Sequence, residues 1–353
     1  MKKTLLLLVL LCTVQLLTHA RIWRVNNTAG LAADFSTLSA AVSSASVLAG
    51  DTVHVEPSAT AYTFFTLNKR LIFFGVGYLL DPANATTPGN AGLHVSTVPA
   101  SIPGMTLAVG SEGSRFQGLA FTSSIAFGTG VTNANIVFEK CYFSSGVFPG
   151  SGNYSNLTFR KCYFDNSRIE QTSGSMSSFV CENCIFNGGS AYVNMTALTG
   201  TNNVVRNNSF NGANFAWALS NAYFANNIVG SASILTFTNC VVKNNIFQLP
   251  NTAGNQQVPI TATGNQFNIP MNTVYLVTGS YDARFQLRSG SPAIGQGVTI
   301  AGFTPDCGAF GATDPYKLSG IPNIPSIYSL TVPVSIPAGT SSMNVTVSTR
   351  NNN

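Results

Sequence analysis

The chain runs to 353 residues, 45% of them hydrophobic and only 8% charged, with 17 basic side chains against 12 acidic ones for a formal net charge of +5. That balance offers no basic stripe for nucleic acid and no Lys/Arg cluster for acidic lipid, so neither is expected as a partner. With charge so sparse, solubility has to come from uncharged Asn, Ser, Thr and Gly on outward faces.

Residues 1–20 place Lys2 and Lys3 ahead of a leucine-rich core and close on Thr18-His19-Ala20, the pattern of a cleavable export signal. An uncleaved anchor is the alternative, but the apolar core at residues 4–17 is short for a bilayer span, and no other apolar run is long enough. Cleavage would remove two basic residues and no acidic one, leaving 15 against 12, a net of +3. Residues 21–25 alternate as a strand. Residues 34–49 then carry Leu38, Ala41, Val42 and Ala45 at helical spacing, with Asp34 or Ser36 as N-cap. A short amphipathic helix there would cap the open end of the strands and keep their edge from pairing with other chains. Residues 52–55 and 69–75 read as further strands, and residues 80–103 as a Pro/Gly/Asn-rich excursion.

From Leu119 onward a unit of the form apolar-x-apolar-x-[Lys/Asn/Gly]-[Cys/Asn]-x-[Phe/Val] recurs. Its anchors are Leu119, Cys141, Cys162, Cys184, Asn208, Asn227, Asn245 and Asn265, at intervals of 22, 21, 22, 24, 19, 18 and 20 residues. A period of this size marks a solenoid whose units bury their apolar faces only by stacking. Two residues past the anchor stand Phe121, Phe143, Phe164, Phe186, Phe210, Val229, Phe247 and Phe267. Three before it stand Phe116, Phe138, Phe159, Cys181, Val205, Phe224, Val242 and Ala262. Mixed and polar residues lie between, the period-two alternation of a strand with one buried face.

These two inward columns are five positions apart, an odd number, so the chain must bend at the anchor. The position before the anchor reads Gly118, Lys140, Lys161, Asn183, Asn207, Asn226, Asn244 and Gly264, and Asn and Gly enter the left-handed backbone region most cheaply. Beyond that corner, Asn208, Asn227, Asn245 and Asn265 would point inward and hydrogen-bond to one another at the strand spacing of about 4.8 Å. Cys141, Cys162 and Cys184 would continue the column as small apolar groups. Outside the signal the cysteines are these three with Cys181, Cys240 and Cys307. Burial accounts for most of them, and a disulfide between stacked rungs stays open. The Cys181-Glu182-Asn183-Cys184 spacing lacks a second pair, so neither a metal nor any cofactor is implied.

The repeats, the opening segment ADFSTLSAAVSSASVLAGDTVHVEPSATAY at residues 33–62, and the closing LRSGSPAIGQG and PDCGAFGATDPY carry a resemblance. Residues 21–311 resemble the right-handed parallel β-helix family, whose best-known members are pectate lyases and polygalacturonases, and more narrowly secreted bacterial β-helix repeat proteins. The resemblance implies an all-β fold: a single-stranded right-handed parallel β-helix over residues 21–313 with an N-terminal capping helix. It does not imply a reaction, because this fold carries lyases, hydrolases, adhesins and inert stalks alike. Relatives with activity use Asp or Glu clusters around calcium beside a basic residue, or close Asp residues with His and Arg. Neither set can be matched here, and no acidic residue occurs between Glu182 and Asp282.

Residues 314–327 are proline-rich and read as a linker. Residues 328–353 read as a β-hairpin, with Leu330, Val332, Val334 and Ile336 on one face, a turn at 337–342, then Met343, Val345 and Val347. So short a piece holds no core alone; it packs on the solenoid or begins a larger domain.

Two outward columns could carry chemistry. Two residues before the anchor come Gln117, Glu139, Arg160, Glu182, Arg206, Ala225 and Lys243. As a site, Glu139 or Glu182 would act as acid or base, with Arg160 and Arg206 orienting an acidic sugar. As structure, the row is a ladder of ion pairs worth roughly 0.2–1 kcal/mol each. One residue after the anchor come Tyr142, Tyr163, Ile185, Ile228 and Ile246, where Tyr142 and Tyr163 beside Lys140, Lys161 and Asp165 could stack on sugar rings, or could lie beneath the loops leaving each corner. The sequence therefore points to an exported, non-catalytic glycan-binding or structural surface or matrix protein, with polysaccharide as its candidate partner. The alternative is a polysaccharide lyase or glycoside hydrolase of unrecognised type. Oligomeric state is left open.

Overall fold

The computed structural model describes residues 20–80, 98–132, 135–212, 214–230, 234–259, 261–279, 281–321 and 326–350. The expected export signal lies outside them except for Ala20, as does most of the excursion at 80–103. Strands recur as the repeat demands, and they stack in parallel into three long sheets and a short fourth made of Asn153–Ser155 and Ser175–Ser177. Sheet I has ten strands from Ile22–Val25 to Val241–Lys243, sheet II has eight from Ser101–Ile102 to Ile246–Phe247, and sheet III has nine from Phe65–Leu67 to Gln256–Gln257. One coil shows the path: Ile136–Glu139 in sheet I, a corner at Lys140, Tyr142–Phe143 in sheet II, then Val147–Phe148 in sheet III. The fold is a right-handed parallel β-helix. Among the described residues no helix is long and apolar enough to cross a membrane.

The corner is one residue long. All eight positions from Gly118 to Gly264 adopt φ between 51° and 71°, which turns the odd spacing of the inward columns into two faces of one shaft. A second left-handed corner, at Asn135, Asn156, Ser178, Asn221 and Asn239, opens the strands of sheet I. It lies just outside the recurring unit, so the repeat as aligned on its anchors does not include it.

Inside the shaft the rings stack rung on rung. Centroid separations run 5.1 Å for Phe121–Phe143, 4.6 Å for Phe143–Phe164, 4.4 Å for Phe164–Phe186 and 4.7 Å for Phe186–Phe210. Each such pair adds about 0.5–1.5 kcal/mol beyond its buried area. Beside them runs an asparagine ladder. The Asn227 Oδ1 accepts from the Asn208 amide N–H at 2.9 Å and from Asn208 Nδ2 at 3.1 Å, while Asn227 Nδ2 donates to the Val205 carbonyl at 3.0 Å. Asn245 and Asn265 repeat the pattern. Cys141 and Cys162 occupy the same column and donate weakly to the Phe116 and Phe138 carbonyls. All six described cysteines are free thiols.

Helix α1, Leu38–Ser43, closes the first end by packing on Ile22–Val25 and Phe65–Leu67 through buried Leu38, Ala41 and Val42. Its N-cap is Thr37, whose hydroxyl accepts from the Ala40 N–H, rather than Asp34 or Ser36. Asp34 instead accepts from the backbone of Arg24 at 2.8 Å. Ala45 lies beyond the helix and is exposed, its expected place in the core taken by Val47.

The rungs end earlier than expected. After Phe267, stacked on Phe247 at 5.1 Å, the chain leaves the shaft through helix α2, Met271–Val274, and then runs back along the column of corners as a strap. The contacts come in order. Asn244 Nδ2 donates to Gln296 O, the Val298 N–H to Asn226 Oδ1, Asn207 Nδ2 to Asp306 O, and Asn183 Nδ2 to both Ala309 O and Gly311 O. Lys161 pairs with Asp314, and Lys140 Nζ donates to Ile321 O at 2.9 Å. The fit is close: a Cβ on Gly308 would come within 2.5 Å of Ile228, and one on Gly311 within 2.0 Å of the Asp306 carbonyl. Residues 314–321, expected as a linker, are thus part of the packed body, with Tyr316 buried. The antiparallel hairpin is present as Ser326–Thr331 and Thr346–Arg350, but its described apolar side chains are exposed rather than packed on the solenoid.

Candidate functional site

Register alone assembles the charged row. On sheet I, Glu139, Arg160, Glu182 and Arg206 stand opposite one another on successive rungs. Arg160 Nε donates to Glu182 Oε1 at 2.6 Å, and Arg206 donates to Glu182 Oε2 at 2.8 Å. Both carboxylate oxygens of Glu182 are therefore occupied, and its side chain keeps only 12% of its surface, whereas Arg160 and Arg206 keep 50% and 45%. Glu139 makes no ion pair among the described residues.

The strap turns this row into one wall of a cleft of about 290 Å³, lined on the strap side by Ala312, Thr313 and Asp314, the last paired with Lys161. Past Arg206 the cleft continues into an apolar recess of about 370 Å³ bounded by Ile300, Phe303 and Pro305. Phe303 and Ile300 are both more than half exposed there. The arrangement can hold a ligand that places anionic or hydroxyl oxygens against the two guanidiniums and an apolar ring face against Phe303.

The second column is under the strap. Tyr163 and Lys140 have no exposed surface and Lys161 has 4%. Tyr142 stacks on Tyr163 at 5.7 Å, and Tyr78 packs against both rings. Tyr142 donates to Asp165 at 2.7 Å. Burial holds the phenols of Tyr142 and Tyr163 above the ordinary range, with Asp165 adding to the effect. Coverage comes from the C-terminal strap together with Tyr78, which no repeat or spacing announces, and not from the loops at each corner. So the structure brings Glu139, Arg160, Lys161, Glu182 and Arg206 together, leaves Lys140 buried in the corner next to Lys161, and separates Tyr142, Tyr163 and Asp165 from them beyond the corner.

Lys140 is unusual. It sits in a left-handed corner, fully buried, and burial with the neighbouring Lys161 lowers its pKa to about 8. The strap carries a further buried polar node, in which Tyr316 donates to Asp282 at 3.3 Å and accepts from the Tyr78 hydroxyl.

Sequence reasoning missed one surface cluster. On sheet III, Arg168 lies over the rings of Phe148 and Tyr192, 4.9 and 5.8 Å from their centroids, and pairs with Glu170 at 3.4 Å. Its residues share no fixed offset from the anchors, because the turn between sheets II and III varies in length. No known protein-family profile matches the chain, and no curated protein is similar to it.

Proposed function

We propose that the protein is an exported, pectate-lyase-like β-helix that acts without catalysis, as a surface or matrix protein binding polysaccharide in the cleft between sheet I and the strap. The observation that carries this reading is the double pairing of Glu182 by Arg160 and Arg206. A carboxylate whose two oxygens each accept a guanidinium hydrogen bond is a poor acid or base, while the outer halves of both arginines stay open to a ligand. The sparse charge of the exterior supports the same conclusion.

One observation favours an enzyme instead: Glu139 lines the cleft without an ion pair among the described residues, as a general acid or base would. A glycan array run together with reducing-end and unsaturated-product assays separates the two. The expected result is binding without product, weakened about tenfold by Arg206→Gln, the loss of one charge-assisted contact. Product release that disappears in Glu139→Gln would establish catalysis. Neither binding nor product would leave a purely structural role.

A further inference from the structure

The C-terminal hairpin is amphipathic. Its register sets Leu330 opposite Val347 and Thr331 opposite Thr346. Within the paired strands Leu330 and Val347 share one face, with Ser329, Thr331, Thr346 and Ser348 on the other, and Val332, Val334, Ile336, Met343 and Val345 continue the same alternate positions of the sequence through the connecting segment. All seven apolar side chains are open to solvent, from 43% exposed at Val345 to full exposure at Val334. A lone two-stranded hairpin is marginal in water, and an apolar face of this kind marks a surface that another body covers.

Chemistry narrows what that body is. No Asp, Glu or Lys occurs from Ser326 to Thr349, so a charged partner finds nothing to pair with, and a second identical face meets no repulsion. At these exposures the face presents on the order of 700 Å² per copy, close to the roughly 800 Å² a side of a stable specific interface. The strand edges are poorly suited to pairing: the register slips between Ile327 and Ser329, and Pro333 and Pro337 remove donors. Face-to-face contact is left.

We propose that the hairpin is a self-association surface, through which two copies of the chain pack apolar face to apolar face about a two-fold axis, forming a small two-layer β unit with layers about 10 Å apart. This is independent of the cleft and its ligand. The test is the solution mass of residues 21–353 by sedimentation equilibrium and light scattering, from micromolar to roughly 100 µM. The expected mass is that of two chains. Leu330→Lys with Val345→Lys should give a single chain with an unchanged thermal midpoint, since both side chains are exposed in the single chain, and Thr331→Lys on the polar face should leave the pair intact. A single-chain mass for the unmodified protein at the highest concentration overturns the proposal. So does a pair that survives the double lysine variant, or growth into larger, open-ended particles.

Discussion

Asn227 shows how much one buried side chain does in a solenoid. Its oxygen serves two donors of Asn208 and its amide serves the Val205 carbonyl, so Asn227→Ala strands several polar groups in a dry shaft. With about 1–3 kcal/mol for each buried group left unsatisfied, the variant should lose at least ~2 kcal/mol in urea unfolding. Asn265→Ala, at the end of the ladder and partly solvated, should lose less; equal losses would show that the ladder is not the source. Lys140 makes a different prediction. Its pKa falls from an ordinary 10.5 to about 8, through burial first and Lys161 second. Between those values the unfolded chain holds a proton that the folded chain does not, so stability should climb as pH rises from about 8 to about 10.5 and stay flat below. The difference between the wild type and Lys140→Met, in urea midpoints near pH 7.5 and near pH 10, isolates that climb. A constant difference would rule it out. At this scale the sequence was readable. The left-handed corner before each anchor followed from odd spacing together with Asn and Gly, with Lys140 and Lys161 placed there by column alone, whereas the second corner at Asn135, Asn156, Ser178, Asn221 and Asn239 did not. What the columns did not show was the reach of those lysines across the corner to the strap.

Elements were legible where contacts are local or periodic and illegible where they are neither. Strands of sheets I and II lie at fixed offsets from the anchor, so they emerged from alignment. Sheet III comes after a turn of changing length, which smears its columns, so strands such as Val147–Phe148 and Ile169–Gln171 have no place in the aligned repeat. Helix α1 was found from Leu38, Ala41 and Val42, but its cap fell one residue past the nearer candidate, because Ser36 and Thr37 offer the same hydroxyl chemistry. The strap depends on pairs such as Asn183 with Ala309, more than a hundred positions apart and outside any period. Its hold can be tested directly. Asn183→Ala removes two hydrogen bonds to the strap, and Lys161→Ala removes the pair with Asp314. Together they should expose residues 305–321 to limited proteolysis while far-ultraviolet circular dichroism of the rungs is unchanged. Undiminished resistance would mean that the apolar contacts of Tyr316 and Ala309 hold the strap by themselves.

Across the whole molecule, order is one-dimensional in the rungs and closed by the strap. Among the described residues five thiols are buried and Cys240 is only partly so, and burial pushes the thiols of Cys141, Cys162 and Cys184 well above their usual range. A thiol reagent should therefore label Cys240 first, with the others reacting only as coils open. If Cys162 in the middle reacts as fast as Cys240 near the end, the shaft is not closed as described. Repeat proteins commonly tolerate the loss or gain of a unit, because each coil answers only to its neighbours. Here that freedom is withdrawn. The strap meets the corners one by one in reverse order, so it acts as a gauge of how many coils lie beneath it. Excising a coil such as residues 185–208 would leave every neighbouring pair able to close, yet would set the returning segment one step too long. The number of turns is thereby inherited as a fixed quantity, recorded a second time in the spacing between Gln296 and Ile321.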